Sequence, residues 1–128
     1  MQVILIASSK RFLSHPDFSG IDLPLWKRLL RDQGKDYSSF TELRDVLYRA
    51  NDTPLIVVDC TASDDVPGHY EELLDHHISI ATPNKKGVSG ALDLWRGILY
   101  SARSYESAIY YEATVGAGLP VISTLQDL

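Results

Sequence analysis

Lys85 and Lys86 stand side by side after a Thr-Pro-Asn turn, directly behind the apolar run Ile78-Ser79-Ile80-Ala81. An ammonium held at the end of a strand can bind an anion or stabilise negative charge that develops on a reacting oxygen. Three other stretches carry related chemistry. Ser8-Ser9-Lys10-Arg11 offers two hydroxyls and two cations, the kind of donor set that grips a phosphate. Asp59-Cys60-Thr61-Ala62-Ser63 offers a carboxylate, a thiol and two hydroxyls, and Glu112-Ala113-Thr114-Val115-Gly116-Ala117-Gly118 offers an acid and a glycine-containing turn. Each of the four follows an apolar run, so the four loops meet at one edge if those runs lie side by side.

The runs read as strands. Gln2 to Ala7 and Leu55 to Asp59 are short, continuous and rich in Val and Ile, the pattern of strands buried on both faces; Ile78 to Thr82 and Ala108 to Glu112 follow. Between the first two lie two helical patterns. Leu25, Trp26, Leu29 and Leu30 share one face ahead of Gly34, and Phe40, Leu43, Val46, Leu47 and Ala50 share another. A third helix is marked by Val66, Tyr70, Leu73 and Leu74, with Ser63, Asp64 and Asp65 ahead of Pro67 at its start. Ala91, Leu94, Trp95, Ile98, Leu99 and Ala102 give the strongest helix signal, a face expected to lie on the sheet, and the stretch from Gly118 opens a last helix. The order is strand, two helices, strand, helix, strand, helix, strand. It predicts one α/β unit, Rossmann-like, with a doubly wound parallel sheet. In such sheets ligands bind beyond the carboxyl ends of the strands, where the four polar loops fall.

Composition excludes several classes of partner. The chain has 128 residues, a hydrophobic share of 45% and a net charge of -5. That is a packed globular protein of single-domain size, and its acidity argues against nucleic acid or an anionic membrane surface. Cys60 is the only cysteine, so no intrachain disulfide and no zinc cluster of several thiolates can form, which favours a reducing compartment. The start, Met1 to Ser9, has no basic leader and is too short to span a bilayer; the expected location is the cytoplasm.

Simpler readings cover several of the reactive side chains. Cys60 has no general base nearby in sequence and is best taken as a small half-buried residue. His76 and His77 end a helix and suit its dipole, His15 and His69 lack partners at ligand spacing, and Trp26 and Trp95 follow core spacing. The loops that remain narrow the ligand. A dinucleotide fold ends its second strand with an acid to bond a ribose hydroxyl, whereas a 2′-phosphate needs the hydroxyls and cations found at Ser8 to Arg11. No Gly-x-Gly-x-x-Gly lies on a strand-to-helix turn, so the usual pyrophosphate cradle is absent.

"VVDCTASDDVPGHY", "HHISIATPNKKGVSG" and "YYEATVGAGLPVISTL" together resemble the homoserine dehydrogenase family, most closely its fungal form. The resemblance is strong from Leu55 to Leu128 and weaker from Met1 to Ala50. It implies an oxidoreductase that interconverts L-homoserine and L-aspartate 4-semialdehyde with NADP or NAD, in threonine and methionine biosynthesis, as a homodimer. It implies that residues 1–112 are part of an NAD(P)-binding domain without its first strand and glycine-rich loop, and that residues 113–128 open the catalytic and dimerisation domain. Thr61 and Ala62 would line the nicotinamide side of the cofactor, Ser9, Lys10 and Arg11 the 2′-phosphate, and Lys85 would stand close to cofactor and substrate. Lys86 would be a supporting charge. Backbone carbonyls of Glu112, Val115, Ala117 and Leu119 would hold a monovalent cation such as sodium, which suits hard oxygen ligands. Relatives often carry Thr-Ser-Ser where this chain has Thr61-Ala62-Ser63. The family's principal acid and base residues lie beyond Leu128, so the isolated chain is expected to be an inactive fragment. The alternative is a noncatalytic α/β protein that keeps the scaffold for dimer or partner contacts.

Overall fold

A computed structural model describes residues 1–50, 52–115 and 121–126 and divides into two compact units, Met1–Ala50 and Asn51–Leu128. In the first unit β1 (Leu5–Ala7), β2 (Arg11–Ser14) and β3 (Lys35–Asp36) form an antiparallel sheet in that order. Leu5 pairs with Ser14 and Ala7 with Phe12, across a turn closed by Ser8 N–H on the Arg11 carbonyl at 2.8 Å. The expectation of a buried parallel strand over Gln2 to Ala7 is corrected here. The strand is half-buried and antiparallel, because Phe12-Leu13 follows the polar Ser8-Ser9-Lys10 segment closely enough to fold back on it, whereas a parallel partner needs a long crossover.

Helix α1 (Trp26–Gln33) grows out of a 3-10 turn at Leu23–Leu25 with Pro24 at its start. Its Leu30 packs with Leu13 of β2 and with Ile21, flanked by Val3, Ile6, Trp26 and Leu29. The helix stops at Gly34 as its sequence pattern predicts; a Cβ there would lie 2.2 Å from the Leu30 carbonyl oxygen. Helix α2 (Phe40–Ala50) buries Phe40, Leu43, Val46, Leu47 and Ala50, the five positions its periodicity assigns to one face.

The second unit holds the parallel sheet. β4 (Leu55–Val58), β5 (Ile78–Ala81) and β6 (Ile109–Tyr110) lie in that order, with Leu55 opposite Ile78 and Ala81 opposite Tyr110. After β4 a 3-10 turn at Val66–His69 leads into α3 (Tyr70–Asp75), which packs on β5; Leu73, Leu74, Ile78 and Ile80 are all at 0% exposure. The short α4 (Lys86–Ser89) precedes α5 (Leu92–Ser104), and α6 (Val121–Gln126) follows a 3-10 turn at Glu112–Thr114. The apolar face of α5 meets chiefly α3 rather than the sheet, with Gly97 so close to the Glu71 carboxylate that a Cβ there would displace it. On the sheet face opposite Ile78 and Ile80, the side chains of Ile56, Val58 and Tyr110 are exposed. Among the described residues no helix is long and apolar enough to cross a membrane.

Candidate functional site

The ends of β4 and β5 are locked together by a buried polar cluster. The backbone ladder runs one residue past each strand, with Asp59 N–H on the Ala81 carbonyl at 3.0 Å and Thr82 N–H on the Tyr110 carbonyl at 2.8 Å. This places Asp59, Thr82 and Asn84, each 3% exposed, around the hydroxyl of the fully buried Tyr70. Asp59 accepts on both carboxyl oxygens. Oδ1 takes the Thr61 N–H at 2.8 Å, and Oδ2 takes the Tyr70 hydroxyl at 2.5 Å and Asn84 Nδ2 at 3.1 Å. Three donors converge on its two oxygens, which an acceptor-only carboxylate can satisfy.

The remaining members are satisfied as well. Thr82 Oγ1 accepts the Asn84 N–H at 2.8 Å and lies 3.0 Å from the Tyr70 oxygen and 3.1 Å from the Asp59 carbonyl, where its single proton can serve either. Asn84 Nδ2 also reaches the Ser63 carbonyl at 2.9 Å, while its Oδ1 accepts the Lys86 N–H at 3.1 Å. Burial, and then the bond to Asp59, push the Tyr70 pKa well above the ordinary tyrosine value, so the hydroxyl remains a donor at neutral pH.

At the rim of this cluster stand the residues that the sequence singles out. Thr61, Ala62 and Lys85 are exposed, two or three positions along the chain from Asp59 and one from Asn84. The Lys85 carbonyl starts α4, accepting Ser89 N–H at 2.7 Å and Ser89 Oγ at 2.8 Å. The two lysines separate here. Lys86 Nζ pairs with Asp64 at 3.0 Å, and among the described residues no ion pair engages Lys85. Gly87 is buried under Tyr70, and a Cβ on it would come within 2.9 Å of the ring.

Ser9, Lys10 and Arg11 belong to the first unit. Ser9 and Lys10 are exposed on the hairpin turn. Arg11 is engaged by the fold: its guanidinium donates to the carbonyls of Arg31, at 2.8 Å, and Gly34 at the end of α1, and Nε faces Asp36 Oδ1 at 3.1 Å without the alignment of a hydrogen bond. Glu112 turns its carboxylate to the start of α6, accepting Ile122 N–H at 2.9 Å and Ser123 N–H at 3.1 Å. Val115 is exposed; Ala117 and Leu119 lie outside the described residues. His76 Nδ1 donates to the Glu72 carbonyl at 2.8 Å, in keeping with the helix-end role expected of it. Cys60 is exposed rather than half-buried as expected, and among the described residues no group of three or more His, Cys, Asp or Glu could hold a metal ion.

The loops that follow β4 and β5 are legible in the sequence; the cluster behind them is not. Tyr70 reads as an apolar helix position and Asp59 as the first residue of a loop. The available signal was the pairing of an acid at the end of one buried strand with Thr-x-Asn at the end of the next.

The family model described as the NAD-binding domain of homoserine dehydrogenase matches residues 1–112. Homoserine dehydrogenase of Schizosaccharomyces pombe is 37% identical over 126 residues, which cover 98% of this chain and 33% of that protein. A bifunctional chloroplastic aspartokinase/homoserine dehydrogenase of Arabidopsis thaliana is 40% identical over 131 residues, covering all of this chain and 14% of that protein. The chain thus spans a third or less of the length of these curated relatives. A Candida auris protein of unknown function, solved by crystallography, superposes with a TM-score of 0.88 at 36% identity over 99% of this chain and 35% of that one. A hyperthermophilic archaeal homoserine dehydrogenase in complex with NADPH superposes with a TM-score of 0.73 at 24% identity, covering 95% of this chain and 37% of that one, a likeness of fold. The fold is therefore the Rossmann type used for nicotinamide dinucleotides.

Proposed function

The chain belongs to the homoserine dehydrogenase family, and from that premise we propose that the longer enzyme carrying it is an NADP-dependent oxidoreductase interconverting L-homoserine and L-aspartate 4-semialdehyde. The observation that carries the reading is the juxtaposition of Thr61-Ala62 and Lys85 around one buried cluster at the carboxyl ends of parallel strands. The residues suit a nicotinamide. The small Ala62 side chain lets a flat ring approach, and the exposed Thr61 keeps a hydroxyl proton for a carboxamide, its oxygen accepting the Ser63 N–H at 3.2 Å. A bound nicotinamide supplies or accepts the hydride; the protein's part is to hold and orient it. Lys85, exposed and outside any described ion pair, is the charge we assign to the cofactor and substrate side.

We assign the 2′-phosphate to the turn at Ser9, Lys10 and Arg11, with Arg11 bracing the turn through its own bonds to α1. A monovalent cation on the carbonyls of Glu112, Val115, Ala117 and Leu119 belongs to the same reading. So do entry into the catalytic and dimerisation domain at residue 113, a homodimer, and a place in threonine and methionine biosynthesis. The lone exposed thiol of Cys60 suits a reducing compartment, and the cytoplasm is our assignment. A noncatalytic scaffold is the second reading, favoured by the exposed apolar row Ile56, Val58 and Tyr110.

The test follows NADPH absorbance with homoserine and NADP in a full-length protein that carries this segment. Turnover is expected, falling about a hundredfold or more in Lys85→Ala, the scale of losing one preorganised charge. The 128-residue polypeptide alone is expected to give none. A folded full-length protein with neither turnover nor NADPH affinity would leave the scaffold reading standing.

A further inference from the structure

We propose that Tyr70, acting through the Asp59 carboxylate together with Asn84, is a positioning residue that sets the placement of Thr61-Ala62 relative to Lys85. The inference rests on the functional reading above for what those rim residues hold. It goes beyond it in assigning the fixed spacing of the site to three side chains that do not themselves face the solvent.

The cluster joins three elements that are distant in sequence. Asp59 follows β4, Tyr70 opens α3 and Asn84 lies beyond the end of β5; the Tyr70–Asp59 and Asn84–Asp59 bonds span 11 and 25 positions. Two of the bonds to Asp59 lead to the backbone of the rim, one directly at the Thr61 N–H and one through the Asn84 side-chain amide. The Thr61 N–H on Oδ1 bends the chain so that Thr61 and Ala62 turn outward, and the Asn84 amide, held at both ends, fixes the backbone beside Lys85 through the Lys86 N–H. The amide orientation is determined by its surroundings, since a flip would set its oxygen against the Asp59 carboxylate and the Ser63 carbonyl. Aspartate at this position would have nearly the same shape and the wrong polarity.

Stability alone does not call for such a cluster. A buried carboxylate among neutral donors is costly to desolvate, and apolar groups of similar volume would hold the same three elements at least as well. Directional bonds contribute what apolar packing does not, a single spacing between two loops, and misplacement of reacting groups by about 1 Å is enough to cost a hundredfold in rate. Gly87 adds to the constraint by letting the α4 backbone rest on the Tyr70 ring, so the turn bearing both lysines is referenced to the same side chain.

The test compares wild type, Tyr70→Phe and Asn84→Asp in the full-length enzyme. Tyr70→Phe keeps the ring packing and removes only the hydroxyl. The expected result is kcat per folded molecule lowered between about tenfold and a hundredfold at temperatures where circular dichroism shows the fold intact. KM for homoserine should change far less, and the fluorescence of bound NADPH should report a more mobile nicotinamide. Should Asn84→Asp fail to fold, Tyr70→Phe carries the test. Folded Tyr70→Phe with wild-type kcat and wild-type NADPH fluorescence overturns the positioning role, even if its melting temperature falls. A wild type that neither binds NADPH nor turns over overturns the functional reading instead.

Discussion

Arg11 and Lys10 are adjacent cations of the same hairpin turn with different duties. The Arg11 guanidinium bonds the last carbonyls of α1, where the helix dipole favours positive charge, and faces Asp36; Lys10 is exposed. Arg11→Ala should therefore destabilise the protein by about 1 kcal/mol, read as a lower thermal midpoint. Lys10→Ala should leave that midpoint unchanged while raising the full-length enzyme's KM for NADPH more than that for NADH. The reverse pattern would place the phosphate contact on Arg11. Sequence alone could not divide these roles, because the partners of Arg11 lie 20 and 23 positions away. The loops that hold Thr61, Ala62 and Lys85 are legible from their position after apolar runs, while the choice of these three residues within the loops rests on the family resemblance. The cluster of Asp59, Tyr70 and Asn84 is not legible, since a buried tyrosine hydroxyl leaves no trace in helical periodicity. Gly87 carries a further prediction. Its replacement by Ala pushes a methyl onto the Tyr70 ring, and overpacking of this kind costs about 1 to 3 kcal/mol. Denaturant midpoints of Gly87→Ala and wild type compare this directly, and equal midpoints would mean the ring can shift without penalty.

At the scale of elements, the long helices and the parallel strands are legible in the sequence, and the antiparallel pairing of β1 is not. The helices at Trp26–Gln33, Phe40–Ala50 and Leu92–Ser104 fall where their apolar faces predict. β2 and β3, four and two residues long, carry too few side chains to show a period, so nothing in the sequence marks the antiparallel partners of β1. α4 was hidden for the same reason. Helix α2 shows how its start is held: Ser38 donates its hydroxyl at 2.6 Å and its backbone N–H at 3.0 Å to Glu42, one turn into the helix. Those bonds, the hydroxyl first, hold the Glu42 carboxyl below its ordinary value. A depressed pKa stabilises the fold above the unfolded value and is lost as pH falls through the folded one. Glu42→Gln should thus melt below wild type at pH 7, and the gap should close as the pH is lowered from about 5 to about 3, across the range where a free glutamate titrates. A gap that persists undiminished at pH 3 would show that the ionised carboxylate is not its source.

For the whole molecule, the two faces of the parallel sheet are unequal. On the α3 side Ile78 and Ile80 are fully buried, whereas on the other side Ile56 is 54%, Val58 65% and Tyr110 61% exposed. Parallel sheets are ordinarily covered on both faces, so a row of β-branched and aromatic side chains facing water is a surface that gains free energy by being covered. The net charge of -5 opposes self-association only weakly at physiological salt, where charges more than about 8 Å apart are screened. The 128-residue polypeptide should therefore associate as its concentration rises, and light scattering should show a mass that grows with concentration. Ile56→Thr combined with Val58→Thr retains β-branched side chains, and with them the strand, while putting a hydroxyl in the middle of the apolar row at both positions. That double variant should scatter as a monomer over the same range with a thermal midpoint close to that of the parent. If parent and variant instead gave the same concentration-independent mass, the exposed row would have no part in association.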